Sequence, residues 1–188
     1  MINPIQIYYR NLDDLRRVAG ADNEMVNLNN ALHIYVDVAT QLLTLWQDDT
    51  KLREYLISTA KNGVGQCRGS GCTPLGRHRI RLRIGHDCPI NTVFIGRRAT
   101  GEIYNQELAA KFPERDWILT RILWLTGIEY GYNRGGQFDT LRRYIYIHGC
   151  PDVEPMGIAR SHGCIRMRNA ELVELFNLVN TGTLVVIK

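Results

Sequence analysis

A chain of 188 residues, 45% hydrophobic and 22% charged, is long enough for one domain with a real core and does not have the composition of a disordered protein. Its formal charge of +4, from 23 basic and 19 acidic residues, is too mild to single out a polyanion-binding protein. No apolar run approaches the roughly 18 residues of a membrane span, and Met1 to Arg10 lacks the basic segment and long apolar stretch of a secretory signal peptide.

Residues 1–30 read as an N-terminal appendage, in which Asn11 caps a short helix through Ala19 and Gly20 stops it. From Ala31 the pattern turns to period two. Leu32, Ile34, Val36 and Val38 alternate with His33, Tyr35 and Asp37, as in a half-buried strand. Leu42 to Trp46 and Tyr55 to Ser58 follow as two more strands of an antiparallel meander. Residues 62–76 form a glycine-rich loop that closes on Thr73-Pro74-Leu75-Gly76, with the turn chemistry of proline and glycine. Next, Arg77, Arg79, Arg81 and Arg83 alternate with His78, Ile80, Leu82 and Ile84, which reads as a strand with a solvated arginine face; His78 and His86 are read as surface residues. A strand at Thr92 to Ile95 and a short helix at Gln106 to Phe112 come after it, then an apolar segment at 117–125 that fits a buried strand better than a helical turn, and a strand at Tyr144 to His148. Asn169 then caps an amphipathic helix carrying Leu172, Val173, Leu175, Phe176 and Val179, and Thr183 to Ile187 closes the chain as a strand. Residues 31–188 are thus expected to form one mainly β domain, a sandwich or open barrel with a few short α-helices.

The chemistry is concentrated between Tyr144 and Asn169. Alternation sends Ile145 and Ile147 to one face of their strand and Tyr144, Tyr146 and His148 to the other. Gly163 and Cys164 lie in a turn just before the helix, where a small residue lets a carbonyl approach the backbone and successive N–H groups can converge on one point. A free thiol with a pKa of about 8.5 is a poor nucleophile at neutral pH until a neighbour takes its proton or stabilises its anion. His162 lies in the same turn as Cys164, an awkward position for reaching the sulfur in line. His148 comes from a separate strand and is the better candidate base.

This segment resembles the signature of the L,D-transpeptidase (YkuD-like) family. His148 and Gly149 match its histidine-glycine pair; Ser161, His162, Gly163, Cys164, Ile165, Arg166, Met167 and Asn169 match its Ser-His-Gly-Cys element, fourteen residues on from His148 to His162. Thr73-Pro74-Leu75-Gly76 is similar to the family's Thr-Pro-x-Gly, and the resemblance covers about residues 31–188. It implies that Cys164 attacks the third-residue carbonyl of a peptidoglycan stem tetrapeptide, releases D-alanine and passes the thioester-bound acyl group to an amine. Water as acceptor would make the enzyme an L,D-carboxypeptidase, and loss of catalysis would leave a wall-binding module. The resemblance further implies that His148 is the base, oriented by the Gly149 carbonyl, and that Gly163 and Cys164 N–H groups hold the oxyanion. Arg166 is expected to bind substrate carboxylates, with Ser161, His162 and Tyr146 lining the substrate site. No cofactor is implied. The implied partner is peptidoglycan rather than nucleic acid, for which no motif is present; the implied site of action is the cell envelope, and the lack of a signal peptide at Met1 to Arg10 leaves the cytoplasm as the alternative.

Three readings compete locally. His-Gly-Cys occurs at 148–150 and again at 162–164, a zinc ligand set by residue type but with spacings shorter than usual. The same proximity allows a Cys150–Cys164 disulfide that would silence the thiol. Cys67 and Cys72 flank the glycine-rich loop and are near enough in sequence to pair, while the odd number of cysteines leaves at least one unpaired in a monomer.

Overall fold

Apolar alternation builds the first sheet edge. In the computed structural model, which describes residues 32–188, β1 (Leu32–Asp37) buries Ile34 and Val36 and pairs antiparallel with β2 (Leu42–Gln47), setting Ile34 opposite Leu45 and Val36 opposite Leu43. The appendage and its expected helix from Asn11 lie outside the described residues. β3 (Thr50–Leu56) completes the meander. It starts well before Tyr55, because its polar edge residues carry no apolar signal and only backbone pairing marks them as strand. After it come β4 (Gly76–Ile84), β5 (Thr92–Ile95), β6 (Arg98–Ile103), α1 (Gln106–Lys111) and β7 (Ile118–Gly127). β8 (Tyr146–Gly149), β9 (Ile165–Met167), α2 (Asn169–Leu178) and β10 (Leu184–Ile187) close the chain. β6 has no apolar run either; it follows from a hairpin turn in which Gly96 and Arg97 take φ of +54° and +67°.

The strands form one mixed sheet in which β10 joins β1 in parallel and β4 in antiparallel fashion, and β7 pairs with β4, β5 and β8. The sheet then curls back on itself. β9 pairs in parallel with β8, and the chain beyond β3 bonds to the far side: Ser58 N–H donates to Arg166 O (3.0 Å), Arg166 N–H to Ser58 O (2.9 Å) and Ser161 N–H to Thr59 O (2.8 Å). The mainly β architecture is therefore as the sequence indicated, with the barrel closed by these bridges. Ile34, Leu43, Ile80, Leu125 and Ile147 fill its interior with Leu172, Leu175 and Phe176 of α2, a contiguous core of the kind that supplies most folding free energy.

The β4 reading needs correction. Alternation holds only to Ile80; a bulge against β7 between Ile80 and Leu82 then leaves Leu82 44% exposed. The arginines do not form a bare solvated face, since Arg77 pairs with Glu129 (3.3 Å) and Arg83 lies 4.2 Å above the Phe176 ring. His78 is fully buried rather than on the surface, with Nδ1 3.0 Å from Gly76 O and Nε2 3.2 Å from the Thr140 hydroxyl. The Gly76 carbonyl can only accept, which places the ring proton on Nδ1.

Burial lowers the His78 pKa from 6.5 to about 4, against the smaller opposing effect of the Gly76 bond. A group protonated more easily in the unfolded chain makes stability fall as pH drops from the unfolded pKa through the folded one, here by about 3 kcal/mol at most. Denaturant midpoints are therefore expected to fall between pH 6.5 and 4, and the fall is expected to be shallower in His78→Gln. Identical slopes in the two proteins would contradict this account.

Candidate active site

The turn before β9 is held from three sides. Ser161 Oγ accepts from Gly163 N–H (3.2 Å) and donates to Cys164 O (2.5 Å), closing the turn on itself. The Thr73 hydroxyl donates to Gly163 O (3.0 Å) and accepts from Ala60 N–H (3.0 Å), so the Thr-Pro-Leu-Gly segment braces it from outside. Gly163 takes φ +133°, and a Cβ there would stand 3.3 Å from Ile145 Cδ1 and 3.4 Å from Cys72 O. Glycine is the residue that tolerates this backbone conformation.

These restraints aim Cys164 at β8. Tyr146 N–H donates to its sulfur (3.4 Å), and the thiol donates to Tyr144 O (3.5 Å). Tyr144 itself adopts φ +59°, rare for an aromatic residue. Cys164 is half-buried. Burial pushes its pKa up to about 12, against the lowering effect of the Tyr146 N–H.

Strand register brings His148 to the same place. β8 and β9 pair Ile147 with Ile165 and His148 with Arg166, so Cys164 precedes its strand pair as Tyr146 precedes its own. Parallel neighbours share a face and residues two apart return to it, so Cys164, Tyr146 and His148 are on one side, about 5 Å apart across strands and 7 Å along them. His148 is buried, and Gly149 O accepts from its Nδ1 (2.8 Å), which leaves Nε2 without the proton. Burial lowers its pKa to about 4, opposed by the Gly149 bond and Asp116 and reinforced by Arg166.

Asn169 holds the Gly149 end in place. Sequence had assigned it a helix cap, but the cap position is Arg168, without a side-chain bond, and Asn169 is the first helical residue. Its buried amide accepts from the Thr120 hydroxyl (2.6 Å) and donates to Cys150 O (2.9 Å). A Cβ on Gly149 would collide with Asn169 Oδ1 and Leu119 O, so a side chain at 149 would displace the carbonyl that holds the imidazole.

Next to the turn opens a cavity of about 640 Å³ lined by Lys61, Asp116, Glu154, Arg160, His162 and Arg166, among others. Asp116, which the sequence reading missed, accepts from Arg166 (2.8 Å) and contacts His162 Nδ1 (3.0 Å). Arg166 also bonds Glu154 (3.2 Å), so its partners are Asp116 and Glu154 and both terminal nitrogens of its fork are engaged. Burial works against the Asp116 charge, yet Arg166, His148 and His162 together hold its pKa below the usual carboxylate value. Of the expected substrate contacts, only His162 presents an exposed side chain to the cavity. The Ser161 hydroxyl is used within the turn, and the buried Tyr146 hydroxyl accepts from Arg97 (3.2 Å). Gly163 N–H is likewise taken by Ser161, whereas Cys164 N–H meets no protein acceptor among the described residues.

The competing readings do not fit this geometry. All five cysteines are free, Cys150 is buried with its thiol on Met167 O (3.6 Å), and no cluster of three or more metal-ligating side chains occurs among the described residues.

A buried imidazole on β8 and a half-buried thiol leading into β9, with a free backbone N–H at the thiol, make a site suited to acyl transfer through sulfur. The chain belongs to the L,D-transpeptidase catalytic domain family, whose model matches residues 31–187. Its fold is similar to an L,D-transpeptidase from Mycobacterium smegmatis (TM-score 0.51, 16% identity, covering 84% of this chain and 58% of that one). It is similar also to the L,D-transpeptidase of Xylanimonas cellulosilytica (0.54, 14%, 94% and 69%) and to L,D-transpeptidase 3 of Mycobacterium tuberculosis with a faropenem-derived adduct (0.50, 15%, 84% and 60%). The chain thus spans little more than half the length of the Mycobacterium smegmatis structure. No curated protein sequence matches it.

The raised thiol and lowered imidazole pKa values both favour the neutral pair over thiolate and imidazolium. Alkylation of Cys164 by iodoacetamide is therefore expected to climb only at alkaline pH. A rate already level below pH 6 would show a preformed ion pair instead.

Proposed function

We propose that the protein is a cysteine-dependent L,D-transpeptidase acting on peptidoglycan stem tetrapeptides. The observation that carries this reading is the β8–β9 register, which puts Cys164 and His148 on the same face of adjacent strands, with His148 Nδ1 pinned by Gly149 O so that its proton is not on Nε2. Cys164 is the nucleophile and His148 Nε2 takes its proton at the moment of attack, because the resting pair is neutral. The sulfur bonds to the carbonyl carbon of the third stem residue, the bond to the terminal D-alanine nitrogen breaks, and His148 delivers the proton to that leaving amine. Cys164 N–H donates to the oxyanion, a contact worth about 3 kcal/mol in comparable sites. An acceptor amine then takes the acyl group from the thioester. Arg166 and Asp116 act as a neutralised pair that fixes the cavity wall and His162, which faces the substrate. The M. tuberculosis neighbour's faropenem-derived adduct supports a reactive acyl-accepting group in this fold. Such a substrate puts the protein at the cell envelope.

Incubation with a disaccharide-tetrapeptide is expected to yield cross-linked dimers and D-alanine by mass spectrometry, and His148→Ala to lower the rate at least 100-fold. Tripeptide without dimer would replace transpeptidation by L,D-carboxypeptidase action. Neither product would refute the proposal.

A further inference from the structure

Arg97 occupies the turn between β5 and β6, and its guanidinium is held in an aromatic box. The guanidinium carbon lies 4.7 Å from the centre of the Trp124 ring and 4.8 Å from that of Tyr144, and Nη1 donates to the Tyr146 hydroxyl (3.2 Å). The box is rigid: Trp124 Nε1 donates to Leu141 O (3.1 Å), and the rings of Trp124 and Tyr146 meet edge to face at 6.0 Å. Two of the residues that grip the guanidinium are the two whose backbones touch the Cys164 sulfur, Tyr146 through its N–H and Tyr144 through its carbonyl. Cys164 packs in the same apolar cluster as Trp124 and Tyr146. The box is therefore built onto the nucleophile turn.

The other cations near the sulfur are already engaged. Arg166 binds Asp116 and Glu154, and Arg143 points its fork at the carbonyls of Gly65, Gln66 and Cys72. No carboxylate lies within ion-pair reach of Arg97 among the described residues, and its recorded hydrogen bond there goes to a neutral phenol. A guanidinium stacked on aromatic rings keeps its N–H edge for in-plane acceptors, the geometry that suits a carboxylate, and its conformation is fixed before binding.

We propose that Arg97 binds the free C-terminal carboxylate of the residue that leaves, making the box a specificity site for substrates ending one residue beyond the scissile carbonyl. This rests on the function proposed above. Successive Cα atoms are about 3.8 Å apart, so the terminal carboxylate of the leaving residue lies one short step beyond the carbon attacked by sulfur. Tyr146 links the two groups, with its N–H on the sulfur and its hydroxyl on the guanidinium. Recognition of the chain end explains how a thiol enzyme would cut only the last bond of a stem peptide. The carboxylate departs with its amine after the carbon–nitrogen bond breaks, so the box empties when the thioester forms.

The test compares two tetrapeptides, one ending in D-alanine and one in D-alaninamide, by the rate at which each terminal group is released. The wild type is expected to favour the acid by about tenfold or more in kcat/KM. Arg97→Gln is expected to reduce the ratio to less than about threefold, chiefly through KM, and Arg97→Lys to retain an intermediate ratio because it keeps charge without the fork. Should Arg97→Gln fail to fold, Arg97→Lys decides. A wild type indifferent to amidation, or variants that keep the full ratio, would overturn this inference and leave the proposed function standing. A wild type that releases neither group would overturn both.

Discussion

The parallel pairing of β8 with β9 is the contact on which the rest of the site depends. It is only three residue pairs long, and a pair so short has little strength of its own. Its stability comes from both flanks. β8 is held by β7 at the centre of the sheet, and Arg166 of β9 is bonded on its other side by Ser58, at the chain end of the first meander. Closing the barrel and aligning the thiol with the imidazole are thus one event. The glycine-rich loop contributes through Thr73 and the half-buried Arg143, which tie its carbonyls and the nucleophile turn together.

Electrostatics then explains how a reactive pair can rest unreactive. Burial opposes charge on both His148 and Cys164, and the charge of Arg166 beside them is offset by Asp116 and Glu154. The sulfur is thereby kept as a thiol with one N–H already directed at it, and under the proposed function the substrate would supply the carbonyl that makes proton transfer favourable. Asn169 belongs to this arrangement, because the carbonyl that orients the imidazole has its place only while residue 149 lacks a side chain and the Asn169 amide fills that space.

What the sequence made legible follows from how local each signal is. Cys164, His148 and Gly149 lie in two short segments whose spacing and alternation can be read directly, as can the apolar strands β1, β2, β5 and β7. β6 and the first half of β3 escaped because edge strands with polar faces are defined by partners far along the chain. His78 was misplaced because a histidine reads as polar, although it shares the strand face of the buried Ile80; the buried Thr140 that receives it is 62 residues away. The charges that decide the site, Asp116 and Glu154 on Arg166, come from loops without any motif. Arg97 was invisible for the same reason: its box is assembled from the β5–β6 turn, the middle of β7 and the chain entering β8, and composition records only one more arginine.

The central claim is that the sulfur of Cys164 accepts an acyl group with help from His148. Intact-protein mass after exposure to a carbapenem tests it most directly. The account predicts that wild type gains the mass of one carbapenem, that Cys164→Ala gains none, and that the other four cysteines remain unmodified in both. An adduct that persists in Cys164→Ala, or a wild type whose mass does not change, would contradict it.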